Sequence, residues 1–174
     1  MKMENLTLAT LGIPRVLNAA TTYTRIGGSR MAPEVLAAMV QGASEFVELE
    51  ELHRVAGERI AQLTKNDAAY ITPGCAAAVV LSVLAILDLN KSATKNEFII
   101  DHTHMVDYVQ SIEFAGGVIK EIGAEGHRSD ADLVNAFNEK TAGIFFVPGL
   151  NRPPGALSIE RTVEIAKQHN VPVI

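Results

Sequence analysis

Cysteine is almost missing from this chain: Cys75 is the only one in 174 residues, which excludes an intrachain disulfide framework and any zinc cage built from several thiolates. A basic surplus is missing as well. Lys+Arg number 15 against 20 Asp+Glu, a formal net charge of -5, and no basic cluster is interleaved with aromatics, so nucleic acid is not the expected partner. Long apolar runs are also lacking. The longest, Ala76 to Leu87, is broken by Ser82 and falls short of the roughly 20 residues that a bilayer span requires. Nothing near Met1 combines a basic start, an apolar core and a small-residue cleavage site. Internal repeats and low-complexity tracts are absent. What remains, 48% hydrophobic and 20% charged residues, suits a folded cytoplasmic protein with one sizeable core and a small-molecule partner.

Periodicity organises the chain. Residues 1–32 read as an irregular arm containing Gly27-Gly28-Ser29, and 33–174 as one α/β domain. Pro33 suits the first turn of a helix, and Leu36, Met39, Val40, Ala43, Phe46 and Val47 keep helical spacing. A second helical series (Leu49, Leu52, Val55, Ala56, Ile60, Leu63) runs through a charged, solvated face. Short apolar runs then alternate with helical patterns: strands at 68–72, 97–101, 118–122, 143–147 and from 171, with helices to about 89, to about 115, at 130–139 and at 159–169. This βαβα order predicts a largely parallel sheet covered by helices on both faces, a three-layer α/β/α arrangement whose ligands bind at the carboxyl ends of the strands. Asn170-Val171-Pro172-Val173-Ile174 reads as the entry to a buried strand, and soluble domains avoid ending on an open strand edge. The expectation is that these residues are the front part of a larger domain.

One junction carries chemistry. In Tyr70-Ile71-Thr72-Pro73-Gly74-Cys75-Ala76-Ala77-Ala78 a short apolar run passes through a glycine turn into a helix that opens on small residues. The first amides of a helix have no intrahelical acceptor and share the positive end of its dipole, so an anion sits there if side chains stay small. A tight turn that binds nothing has the same appearance. Cys75 is read as a small residue at the helix start, since no base adjoins it in sequence.

Four pieces in order and spacing add a resemblance: Val16-Leu17-Asn18-Ala19-Ala20, then Gly27-Gly28-Ser29-Arg30-Met31 with Pro33-Glu34-Val35, then Phe46-Val47-Glu48-Leu49-Glu50-Glu51-Leu52, then Thr72 to Ala78. Together they cover most of the first hundred residues. They resemble fold-type-I pyridoxal 5'-phosphate (PLP) enzymes, in the branch related to L-seryl-tRNA(Sec) selenium transferase, which also holds ammonia-lyase-like enzymes. The resemblance implies an incomplete aspartate aminotransferase-like large domain, PLP as cofactor, and a homodimer or higher homo-oligomer. It implies that Gly74, Cys75 and Ala76 supply amides to the cofactor phosphate, that His104 lies over the cofactor ring, and that Asn151, in Val147-Pro148-Gly149-Leu150-Asn151-Arg152-Pro153-Pro154-Gly155, bonds its phenolic oxygen. Arg30 and Arg152 become candidate anchors for a substrate carboxylate or phosphate. Each also has a plainer reading: a loop histidine, a turn asparagine, surface ion-pair arginines.

The resemblance also implies a lysine that binds the cofactor covalently and an Asp that protonates its ring, both beyond Ile174. Lys65, Lys91, Lys95, Lys120, Lys140 and Lys167 sit in contexts unlike the family's lysine segment, so the segment alone is expected to be inactive. The reaction expected of the whole is a lyase or transferase step on a small amino-acid-like substrate. Selenium transfer itself is less expected, because that enzyme has an extra tRNA-binding region and this chain is acidic. Two alternatives differ in class. Phe98-Ile99-Ile100-Asp101-His102-Thr103-His104 ends an apolar run in His-x-His, which on a strand would aim two imidazoles at one metal, as in metal-dependent hydrolases. A truncated, non-catalytic relative would instead use the amphipathic pair 33–63 as a dimerisation module.

Overall fold

The computed structural model describes residues 6–20, 22–91, 94–123, 129–149 and 156–174. These divide into two compact units, one up to Leu52 and one from His53 onward. The first contains a 3₁₀ turn at Thr24–Ile26 and helix α1 (Pro33–Gly42), with Pro33 in the first turn as the ring's fixed φ favours. None of its described residues is buried. Helix α2 (Leu49–Thr64) begins at the boundary between the units.

The second unit is organised by three parallel strands, β1 (Glu97–Asp101), β2 (Val118–Ile122) and β3 (Thr141–Phe145), in the order β2-β1-β3. The final residues add themselves to the outer side of β3. Ile144 N–H donates to Pro172 O at 2.9 Å, Ile174 N–H to Ile144 O at 2.8 Å and Phe146 N–H to Ile174 O at 2.9 Å. Side-chain alternation along β1 then decides the layers. Phe98 and Ile100 join a buried cluster with Val79 and Val83 of α3 (Cys75–Asn90) and Ile112 of α4 (Gln110–Phe114). Ile99 joins Leu133 of α5 (Asp130–Ala136) and Ile165 and Ala166 of α6 (Ile159–Gln168) in a separate cluster. Helices therefore cover both faces, as the alternating pattern predicts.

The Phe98 ring is seated by two glycines. A Cβ on Gly143 would meet Phe98 Cε1 at 2.8 Å, and one on Gly117 would meet Phe98 Cδ2 at 2.9 Å and Ile112 Cγ2 at 2.7 Å. Helix starts follow the caps. Ser129 and Asp132 form a reciprocal capping box at α5, and Ser158 accepts the Arg161 amide at α6.

Several elements differ from expectation. Helix α1 ends at Gly42 although helical spacing continues to Val47, and β3 is Thr141–Phe145 rather than 143–147. Residues 68–72 carry no strand assignment, because a strand needs a hydrogen-bonded neighbour and apolar periodicity supplies none. The helix expected after β1 is divided into 3₁₀ turns His102–His104 and Asp107–Val109 followed by the short α4. Asp101 causes the first of these turns: its Oδ1 accepts from Thr103 N–H at 2.8 Å and from Thr103 Oγ1 at 2.7 Å. Helix α5 stops at Ala136 rather than 139. There Asn138 Oδ1 accepts the Lys140 amide at 2.7 Å and its Nδ2 donates to Glu97 Oε2 at 2.8 Å, which fixes a turn into β3.

Candidate functional site

The glycine turn has the geometry an anion site needs. Gly74, the residue before α3, has φ 153° and ψ 172°, a region open in practice to glycine alone. Its carbonyl accepts from Ala78 N–H at 3.0 Å and from Thr72 Oγ1 at 3.0 Å. Because the first helical bond belongs to Ala78, the amides of Cys75, Ala76 and Ala77 have no acceptor within the helix. No acidic residue lies in the first turn, so nothing there opposes a negative ligand. A Cβ at Gly74 would find no atom within 4 Å; the space in front of the turn is open, and Gly74, Cys75 and Ala76 are exposed. Near the far end of α3, Leu87 Cδ1 stands 3.9 Å from where a Cβ on Gly116 would lie, just before β2 begins. The first turn of α3 thus lies toward the carboxyl end of the sheet, where ligands of such folds bind.

Helix α2 holds the approach to this turn. His53 Nε2 lies 2.9 Å from Ile71 O, and since a carbonyl only accepts, Nε2 carries the proton. The same imidazole lies against Tyr70 with ring centroids 4.1 Å apart. One turn later in α2, a Cβ on Gly57 would stand 2.4 Å from Ala69 O, so the segment leading to Gly74 touches the helix backbone there. Sequence reasoning missed both residues. The available signal was Gly57 itself: glycine in a helix interior costs about 1 kcal/mol relative to alanine, and a close backbone approach is a reason to keep it.

His104 lies two residues past the 3₁₀ start that follows β1 and is 2% exposed. Its ring faces Phe146 at 4.2 Å, and its Nδ1 accepts the Val147 amide at 3.3 Å. The imidazole thus ties the end of β1 to the segment after β3. His102 points elsewhere: it is half-exposed and its Nδ1 is 2.5 Å from Glu121 Oε1. The His-x-His pair falls in a 3₁₀ turn rather than on a strand, so the two rings do not share a side, and no group of three or more metal-ligating side chains occurs among the described residues. Arg30 is exposed and lines a cavity in the first unit. Asn151 and Arg152 lie outside the described residues.

No protein-family model matches the chain. It is 32% identical to D-glucosaminate-6-phosphate ammonia lyase of Salmonella typhimurium over 94% of this chain and 48% of that one. It is 31% identical to L-seryl-tRNA(Sec) selenium transferase of Hyphomonas neptunium over 69% of this chain and 28% of that one. A solved structure of D-glucosaminate-6-phosphate ammonia-lyase superposes with a TM-score of 0.86 at 31% identity, over 95% of this chain and 49% of that one. Aspartate aminotransferase from Thermotoga maritima superposes with a TM-score of 0.58 at 21% identity, over 95% of this chain and 47% of its own, which shows the shared fold. The chain spans about half the length of the ammonia lyase.

Proposed function

We propose, from the premise that this chain is homologous to the ammonia lyase and selenium transferase branch of fold-type-I PLP enzymes, that it forms the cofactor-phosphate half of a PLP-dependent lyase or transferase. The observation that carries this reading is the Gly74 turn: three amides without helical acceptors, no acid in the first turn, and open space in front. That donor set fits a phosphate monoester. When bound, PLP supplies an electron sink for a carbanion formed beside the substrate's amino group.

The chain's own residues do the rest. The amides from Cys75 to Ala77 hold the phosphate, and Thr72 holds the Gly74 carbonyl away from it. His53 and Gly57 set the height of the incoming segment. His104 fixes Val147, and so the start of the loop that carries Asn151 and Arg152. In that loop Asn151 takes the cofactor's phenolic oxygen, while Arg152 and Arg30 serve substrate anions. The lysine that binds the cofactor is none of Lys65, Lys91, Lys95, Lys120, Lys140 or Lys167, and residues 1–174 are inactive alone. The substrate is a small amino-acid-like compound, a 2-amino sugar acid phosphate being the first to try, with ammonia release as the expected reaction. The working unit is a cytoplasmic homodimer. Exposed Val35, Leu36, Met39 and Val40 on α1 favour a partner surface there.

The test uses the full-length gene product. Titration with PLP should give the absorption band of a lysine-bound cofactor, and borohydride should fix the label to a lysine outside residues 1–174. Gly74→Ala forces a side chain into a glycine-only conformation and should weaken PLP binding by about tenfold, given a strain of about 1–3 kcal/mol. Absence of the band, or a label on one of the six lysines named above, refutes the reading.

A further inference from the structure

Helix α3 is apolar on every side. From Cys75 to Leu87 it carries no charged residue, the composition of a helix covered all round. Yet only Val79 and Val83 are buried, while Leu81 is 43%, Leu84 45% and Leu89 78% exposed. Its last turn borders a cavity of about 520 Å³. Ile86, Leu89 and Asn90 form one wall, and Lys167 at the end of α6, with Val171 and Pro172, forms the other. Because α3 and α6 pack on opposite faces of the sheet, a cavity that touches both lies past the outermost strand, alongside residues 171–174.

The polar groups on this side are unpaired. Asn90 Nδ2 is buried and has no hydrogen-bond partner among the described residues, which is uncommon for a buried donor. Pro172 O and Ile174 N–H are both spent on Ile144 of β3. Backbone groups alternate in direction along a strand, so Val171 C=O and Val173 N–H point the opposite way, out from the sheet. Neither has a partner among the described residues. In a parallel pair one residue donates to a carbonyl and accepts from the N–H two positions later, which is how Ile144 takes Pro172 O and Ile174 N–H. Val171 C=O and Val173 N–H offer that same acceptor and donor on the outer side.

We infer that this groove seats a further parallel strand of the same polypeptide, drawn from outside residues 1–174, and that Asn90 ties down its entry by donating to a backbone carbonyl. The apolar wall of α3 suits a strand covered on both faces. Length favours the same polypeptide as the source: the chain spans 48% of the ammonia lyase it matches, so about as much chain again lies outside the matched part of that relative. A second copy fits less well. Two equal edges related by a two-fold axis meet antiparallel, and helices flanking the edge on both faces leave room for one strand rather than for another helix-flanked edge. The groove adjoins the end of α3, opposite the Gly74 turn, and takes no part in the proposed chemistry.

The experiment uses the full-length gene product with PLP bound. Hydrogen exchange resolved to single amides should show Val173 N–H exchanging about a hundredfold slower than an open strand-edge amide, at any protein concentration. Val173→Pro removes only the outward N–H, since the bonds to Ile144 use its neighbours. An open edge tolerates that proline, whereas a paired strand should lose about tenfold or more in its folding equilibrium constant by urea unfolding. Asn90→Leu should lose roughly three- to tenfold, the range for one hydrogen bond. Should Val173→Pro fail to fold, the exchange measurement on wild type decides. Fast exchange at Val173 in the full-length protein overturns the inference, and so does undiminished stability of Val173→Pro. Protection that fades on dilution overturns it in favour of a second copy.

Discussion

The two units use apolar residues in opposite ways. From His53 onward, Phe98, Ile99 and Ile100 of β1 are each 0% exposed, and helices seal both faces of the sheet. Up to Leu52 the apolar content is also high, yet on α1 Met39 is 55% and Val40 73% exposed. A helical stripe of hydrophobic residues therefore reports a surface that will be covered, and does not say what covers it. The sheet unit finds its cover within the chain, through crossover helices. Among its described residues the first unit has turns, α1 and the start of α2, and none of them is buried.

Four substitutions probe this contrast, from the largest effect to the smallest. Phe98→Ala empties the seat between Gly117 and Gly143 and should destabilise the protein by about 3–5 kcal/mol, measured by urea unfolding. If the loss is under ~1 kcal/mol, the sheet unit is not the close-packed part described above. Gly57→Ala pushes a methyl group onto the Ala69 carbonyl and should cost about 1–3 kcal/mol. PLP affinity should fall with it, because the segment moved is the one that leads to Gly74. His53→Ala removes the donor to Ile71 O and should cost about 1 kcal/mol. Its effect on PLP affinity should be recovered in part by His53→Gln, whose amide can still donate; equal loss in both variants would mean that His53 acts by packing on Tyr70 alone. Smallest of all, Met39→Glu on exposed α1 should change unfolding stability at low protein concentration by less than about 0.5 kcal/mol. Sedimentation should nevertheless show weaker self-association. A large unfolding effect at low concentration would show that α1 is buried within a single molecule.

Much of the sheet unit was legible in the chain. The runs at 97–101 and 118–122 are the observed β1 and β2: central β1 buries the continuous Phe98-Ile99-Ile100 run, as a parallel strand covered on both faces does, while edge strand β2 admits Lys120 and Glu121 and was marked by its β-branched Val118, Ile119 and Ile122. The Gly74 junction was legible for a similar reason: glycine followed by small residues at a helix start is a local signal read by local sterics. The site's supports were not. His53 is one polar residue among many on α2, and only the fold brings Ile71 and Tyr70 to it. The contacts of His104 with Phe146 and Val147 are likewise made by the fold, across 42 and 43 residues of chain. Asp101 was overlooked as a cap, and its bonds to Thr103 turned the His-x-His run out of the strand on which two aligned imidazoles would have depended.

By itself the sequence determined the α/β alternation and the glycine turn into α3. Both depend on neighbours only a few residues apart, through backbone sterics or side-chain period. The tertiary structure alone decided which helix covers which face of β1 and which carbonyl His53 meets. Those are contacts between segments distant along the chain, and they come from packing and chain reversal, which no local pattern encodes.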